Sequence, residues 1–295
     1  MPKNEPLCPI CLSDSRFWDK SVNIAPKNNG KTKKEEFLIY KCNSCGHGFL
    51  HPGLQNKEEL QKYYNEDYAT SYNPDIEDES FKLRKEQYKL DVNLIKSYVS
   101  IDKISVLDYG CSMGMFLNAM PSEWKKYGYE INKFELEYIA KNFKEIRTFS
   151  DVSQIRKNNF DLITLRGVIE HLFDFNDLFS ILIDSLKDKG LVYVCATPDF
   201  NSPCACVYKS YWNQIGPPLH YHQFTAASIT ILFGNKGFGL RNLTYPYENT
   251  PYSDFPRDGI KFINNVRRII ENDKPVETQH AYPGTMMSLV FEKVK

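Results

Sequence analysis

The run ISVLDYGCSMGMFL (residues 104–117) combines an apolar strand, an acid and a turn containing two glycines. Asp108 lies at the carboxyl end of the strand, where open α/β sheets bind ligands. A carboxylate there can accept a hydrogen bond from the ammonium of a methionine moiety. Gly110 allows a sharp turn, and Gly114 lets a ligand approach the backbone with no side chain in the way. Glu130 ends the next strand, WKKYGYEI, twenty residues after Gly110, and an acid there can hydrogen-bond both hydroxyls of a ribose. Asp151, after a third strand, can accept from an adenine amino group or cap the helix that begins VSQI. A dinucleotide site would need G-x-G-x-x-G to seat a pyrophosphate. Here the pattern fails at its second and third glycines, and adenosylmethionine has no pyrophosphate to seat.

Two further groups carry chemistry. Cys8-Pro-Ile-Cys11 and Cys42-Asn-Ser-Cys45 are C-x-x-C pairs 30 residues apart. Four thiolates at this spacing predict a closed tetrahedral zinc site that holds the fold and has no open position for catalysis. Neither pair lies between a strand and a helix as a thioredoxin-type redox pair would. His47 and His51, nearby, read as packing or surface residues. His171, in VIEHL, and His220 and His222, in GPPLHYHQF, lie after strands at the expected sheet's ligand-binding edge, and histidine suits proton transfer near neutral pH. Tyr211, Trp212 and Tyr221 could stack on an acceptor or pack the segment down. Cys204 and Cys206 have no partner at zinc spacing.

The elements that must position these residues fall into three parts. Residues 1–56 hold the cysteine pairs with short β-like runs. Residues 57–100 read as a helical lead-in or lid, with Phe81, Tyr88, Val92, Ile95 and Val99 on one face and Tyr63, Tyr64, Tyr68 and Tyr72 as lid candidates. Residues 101–295 alternate strands with helices, which predicts a parallel sheet with helices on both faces. In this part, FNDLFSILIDSLKDKG reads as a helix closed by Gly190, LVYVCATPD as a strand, TAASITILFGNKGF as a helix, and TMMSLVFEKV as the last strand.

Residues 101–200 resemble class I S-adenosylmethionine-dependent methyltransferases through four ordered segments. VLDYGCSMGMFL is similar to their first motif, YGYEI to the second-strand acid, FDLITLRGVIEHLFD to the fourth-strand segment, and GLVYVCATPDF to the fifth strand. Ser112 departs from the glycine that the family commonly has. The resemblance implies a Rossmann-like sheet preceded by a four-cysteine lobe, and cofactor contacts from Asp108, Gly110, Cys111, Gly114, Phe116, Glu130, Ile131, Asp151, Val152 and Arg166. The paired cysteines followed by QKYYNEDYATSY resemble bacterial methyltransferases of sugars and surface polysaccharides. That implies a sugar or nucleotide-sugar acceptor, with His171, His220 or His222 taking the proton. Sugar C-methyltransferases of this kind usually carry a large further domain, for which 295 residues leave no room, which favours methylation at oxygen over carbon. A sugar C-methyltransferase and an RNA methyltransferase that grips RNA through its zinc lobe are the alternatives, and a non-catalytic binder is a further reading.

Composition narrows these classes. Lys plus Arg and Asp plus Glu number 37 each, without the basic surplus of a nucleic-acid binder. Only NNGKTKKEE (28–36) is densely basic. No apolar run approaches the roughly 18 residues of a membrane span, and the N-terminus lacks a signal-peptide core. A cytoplasmic protein is therefore expected.

Overall fold

The computed structural model describes residues 5–25, 33–53, 56, 79–99, 103–155 and 159–294. Tyr63, Tyr64, Tyr68 and Tyr72, and residues 28–32 of the basic stretch, lie outside these residues. The chain opens with strands β1 (Ser15–Ala25), β2 (Lys33–Cys42) and β3 (Gly48–Leu50), followed by helix α1 (Glu79–Lys96). Strand and helix then alternate through β4 (Ser105–Tyr109), α2 (Met115–Ala119), β5 (Lys125–Tyr129), α3 (Lys133–Asn142), β6 (Ile146–Phe149) and α4 (Val152–Ile155). Next come β7 (Phe160–Arg166), a 3-10 turn at Ile169–His171, α5 (Asn176–Ser185) and β8 (Leu186–Pro198). The chain finishes with α6 (Pro203–Tyr208), β9 (His222–Gln223), α7 (Ala226–Gly234), β10 (Phe238–Thr244), α8 (Phe255–Ile270) and β11 (Met286–Lys293).

The large sheet has the order β10-β11-β8-β7-β4-β5-β6 and is Rossmann-like. Alternate residues of its central strands feed opposite faces, as the pleat requires. Leu107, Ile163, Leu165, Val192 and Val194 join one buried cluster with α5 and α7. Val106, Leu162, Tyr193 and Cys195 join a second with α1, α2 and α3. Burial on both faces explains why these strands read as near-continuous apolar runs. The chain proceeds outward from β4 through β5 to β6, then returns to the other side of β4 with β7 and β8. The carboxyl ends of β4 and β7 therefore flank a topological switch point, the place where such sheets bind ligands.

The sheet is mixed, whereas strand–helix alternation predicts an all-parallel one. β11 runs antiparallel to both β8 and β10 and slots between them. The helix expected to close at Gly190 ends at Ser185, and Leu186 already pairs with Phe160 of β7. Gly190 serves a close approach within β8 instead. A Cβ there would lie 2.6 Å from Leu186 and 2.8 Å from the Lys187 carbonyl. The small sheet, β1-β2-β3-β9, takes its last strand from residues far along the chain, with Phe49 opposite His222 and Gly48 opposite Gln223.

Candidate active site

Asp108 ends in the switch-point crevice of the large sheet. It is buried, and its Oδ1 accepts from the Thr164 hydroxyl on the adjacent strand β7 at 2.5 Å. Burial pushes its carboxyl up to about 7, against the opposing influence of the Thr164 hydrogen bond and Arg166. The glycine turn that follows is anchored by the amides of Gly110 and Cys111, both of which donate to the Tyr129 carbonyl. Gly110 has φ +77°, and a Cβ there would lie 2.8 Å from Val168. Gly114 serves the fold in a different way from the one its motif suggests. Its φ is +74°, and its missing side chain would point at Ile139, 3.0 Å away, rather than into ligand space.

Glu130 sits on the opposite side of this turn, just beyond β5. Its carboxylate accepts from the amides of Ser112 (3.1 Å), Ile131 (2.7 Å) and Asn132 (3.0 Å), which fixes its orientation across the loop. Burial and the nearby Glu135 raise its pKa. Ser112 takes a left-handed φ of 47° where a glycine would be at ease, and its hydroxyl donates to Glu135 at 2.7 Å. Ile131 exposes an apolar side chain on this rim, 59% accessible. Asp151 is exposed, and its Oδ1 accepts from the Ser153 amide, so it caps α4. Val152 packs against the large core.

Three of the sequence-predicted cofactor residues point elsewhere. The Cys111 thiol is buried against Gly128, where a Cβ would lie 2.5 Å from its sulfur. Phe116 is buried against Tyr88 of α1, with ring centroids 5.4 Å apart. Arg166 reaches back to α1. Its Nε donates to Asp91 at 3.2 Å and its guanidinium lies 4.7 Å over the Tyr88 ring. Asp91 also accepts from Gln87 and the Tyr193 hydroxyl. Sequence reading missed this cluster, although Gln87 and Asp91 lie four residues apart on a helix and so share a face.

Beyond β7 the 3-10 turn carries Glu170 and His171, and the segment after α6 brings His220 against them. The two imidazoles stand edge to face, 4.7 Å apart at an interplanar angle of 82°. His171 Nδ1 donates to the Leu219 carbonyl at 2.9 Å, and His220 Nδ1 to the Gln214 carbonyl at 2.5 Å. A carbonyl can only accept, so each neutral ring carries its proton at Nδ1 and its lone pair at Nε2. Burial lowers the His171 pKa to about 3, with His220 adding to the effect, and lowers His220 to about 4. Both are therefore neutral bases at pH 7. Glu170, absent from the sequence-predicted set, is buried and accepts from the Thr197 hydroxyl at 3.3 Å. Burial raises its pKa to about 7. Its place directly before His171 was the only signal available.

His222 occupies different surroundings. It is 4% exposed in the small sheet, its Nδ1 is 3.0 Å from His47 Nε2, and its ring packs on Phe175 at 4.7 Å. His47 is fully buried, a packing residue as its position suggested. Of the aromatic candidates, Trp212 is core, Tyr211 is 48% exposed, and Tyr221 is partly buried beside Phe173.

The four cysteines of the small lobe converge. Sγ separations are 3.7 Å for Cys8–Cys45, 3.4 Å for Cys11–Cys42 and 3.5 Å for Cys11–Cys45. A tetrahedron with metal–sulfur bonds of about 2.3 Å has edges of about 3.8 Å, close to these values. A disulfide, at about 2.05 Å, is excluded. Amides of Ile10, Ser44 and Cys45 donate to the sulfurs of Cys8 and Cys42, as knuckle turns require.

A family profile described as a methyltransferase domain matches residues 80–244. Among solved structures, the chain is similar to magnesium protoporphyrin IX methyltransferase from Synechocystis PCC 6803, solved with bound SAH. The identity is 13% and the TM-score 0.54, over 81% of this chain and 100% of that one. A putative methyltransferase from Bacillus halodurans C-125 matches at 14% identity and TM-score 0.51, over 70% and 100% of the two chains. The YcgJ protein from Bacillus subtilis matches at 15% and 0.50, over 71% and 99%. At these identities the likeness is one of fold. No curated protein matches the sequence.

Proposed function

We propose, for a chain that belongs to the methyltransferase-domain family and is a methyltransferase, that the donor is S-adenosylmethionine and the acceptor a hydroxyl of a sugar or nucleotide sugar. One observation carries the donor assignment. Asp108 and Glu130 lie at the carboxyl ends of the adjacent parallel strands β4 and β5, on either side of a glycine turn. In this reading Asp108 accepts from the amino group of the methionine moiety and Glu130 from the ribose hydroxyls. Ile131, Asp151 and Val152 border the adenine. Gly110, Cys111 and Gly114 shape the turn from within, while Phe116 and Arg166 form the wall behind it.

Methyl transfer from a sulfonium is an in-line displacement, so the protein must hold the acceptor on the methyl axis and relieve its hydroxyl of a proton. Positioning can contribute roughly 7–11 kcal/mol, and a general base about 10²–10⁴-fold in rate. His171, in the turn after β7, and His220, brought against it from the segment after α6, suit the second task, being neutral and adjacent. His222 is the weaker candidate because it is packed against His47. The sugar assignment rests on the resemblance carried by the paired cysteines and the QKYYNEDYATSY segment that follows them.

Residues 1–56 form the zinc-binding lobe in this reading. Cys8, Cys11, Cys42 and Cys45 would hold Zn2+ in a closed site whose contribution is structural.

Adenosylhomocysteine should raise the melting temperature by binding linkage, and Glu130→Ala should weaken that binding. His171→Ala and His220→Ala should preserve binding but slow adenosylhomocysteine release on nucleotide-sugar acceptors. A thermal shift with NAD and none with adenosylhomocysteine would sink the donor assignment. Full turnover in His171→Ala, His220→Ala and His222→Ala alike would remove the proton-transfer role.

A further inference from the structure

We infer that Glu170, His171 and His220 form a divalent-metal site, separate from the four-cysteine cluster, that presents an acceptor to the donor through two adjacent oxygens. The inference rests on the methyl-transfer reading for its purpose, but not for its geometry.

A nitrogen of each imidazole and a carboxylate oxygen of Glu170 lie within 4.8 Å of one another, close enough to share one ion. The two Nδ1–H groups are anchored on the carbonyls of Leu219 and Gln214. Metal-binding histidines are commonly anchored in this way, because a fixed proton on one nitrogen orients the lone pair of the other. The edge-to-face arrangement keeps the rings from stacking flat against each other. Glu170 is buried, and among the described residues no cation is paired with it. A buried carboxylate beside two imidazole lone pairs is a donor set short of a cation, and a metal ion would supply the missing charge.

The donor set also indicates the kind of ion. Two imidazoles and one carboxylate suit a first-row divalent ion such as Mn2+, Fe2+ or Zn2+ and leave coordination positions open. The four-thiolate cluster, by contrast, would be closed. Val168, two residues before Glu170, packs over Gly110 and so ties this turn to the glycine turn. Oxygen pairs that chelate, such as the vicinal hydroxyls of a sugar, fit the open positions. In this arrangement the two imidazole lone pairs are engaged by the ion and do not take the proton themselves; a hydroxyl bound to the ion instead loses its proton to water more readily. Its oxygen then forms the bond to the methyl carbon, while the sulfur–carbon electron pair stays on sulfur and the sulfonium becomes a thioether.

Mn2+ is the probe. Titration of the full chain, followed by electron paramagnetic resonance, should show one bound ion below about 1 mM. Glu170→Gln and His220→Ala should each weaken its binding by roughly 10–100-fold or more. Electron spin echo measurements on the unaltered protein should detect directly bound imidazole nitrogen, a readout that needs no variant to fold. UDP-glucose, which carries vicinal hydroxyls, should displace water from the bound ion and lower its proton relaxivity. No Mn2+ binding at that concentration, equal binding in both variants, or bound Mn2+ without nitrogen coupling would overturn the site. An unchanged relaxivity would overturn the chelated acceptor. Adenosylhomocysteine binding measured on the same samples separates the two readings. If it binds and Mn2+ does not, the metal site falls and the donor assignment stands. If only Mn2+ binds, the reverse holds.

Discussion

Asp108 shows how far burial can tune one carboxylate. Burial disfavours its charge and pushes its carboxyl up to about 7. A donor bearing a sulfonium and an ammonium favours the ionised form, so binding below that pH must release a proton. Affinity for adenosylmethionine should therefore fall as pH drops through about 7, approaching tenfold per pH unit. Asp108→Asn should flatten this profile and bind more weakly at about pH 8. Calorimetric titrations across the range check both outcomes, and a pH-independent affinity in the unaltered protein would contradict the assignment. Gly110 is the matching backbone case. Gly110→Ala should destabilise by roughly 1–2 kcal/mol from its left-handed φ alone. It should also meet Val168 at 2.8 Å and lose cofactor affinity. A denaturant midpoint and a binding titration separate the two effects.

At the scale of elements, α1 is legible in the sequence as an apolar stripe, and Phe81, Tyr88, Val92 and Ile95 are all buried. What the stripe could not reveal is how the helix is pinned. Asp91 accepts from Arg166 at the end of β7, from Gln87 within the helix and from Tyr193 on β8. Removing one partner of a buried pair leaves the other charge uncompensated, which costs about 3–5 kcal/mol. Asp91→Ala should lower stability to that extent in urea unfolding and speed amide exchange across residues 79–96. Asp91→Asn, which keeps the hydrogen bonds to neutral neighbours, should cost less. Unchanged exchange in Asp91→Ala would show that apolar packing alone holds the helix. β10 and α8 went unread: β10 forms the sheet edge beside the reversed strand β11, and α8 packs Phe262 on Tyr208 of α6.

At the scale of the whole molecule, the four-cysteine lobe and the large sheet are built into each other. β9 closes the small sheet, and the Thr225 hydroxyl, which caps α7, donates to the Cys45 carbonyl at 2.7 Å. Lys41 donates to Asn201 at 2.7 Å. Removing metal from the proposed four-cysteine site should therefore lower the melting temperature of the entire protein in one transition. Structural zinc sites carry apparent binding energies of about 10–16 kcal/mol in small peptides, comparable with the whole stability of a typical domain. Calorimetry with and without a chelator provides the check. A separate lobe transition with an unmoved main transition would show that the two parts are energetically independent. Among the described residues, no helix is long and apolar enough to cross a membrane.

The strand–turn–helix at residues 104–117, the knuckle spacing within each cysteine pair, and the acid at the end of the second strand are each written in a short local stretch of chain. Pattern and spacing were therefore enough to determine them. The partners of His171 and Arg166 were not determined in that way. His220 lies 49 positions from His171, and Asp91 lies 75 from Arg166. Which side chains meet over such distances depends on strand order and on where the chain reverses, and no local periodicity records either. The same reason separates His220 from its near neighbour His222. Only the fold turned one toward Glu170 and His171 and packed the other against His47. It also gathered Glu170, which the sequence marked only as the residue before His171, into one cluster with His171 and His220.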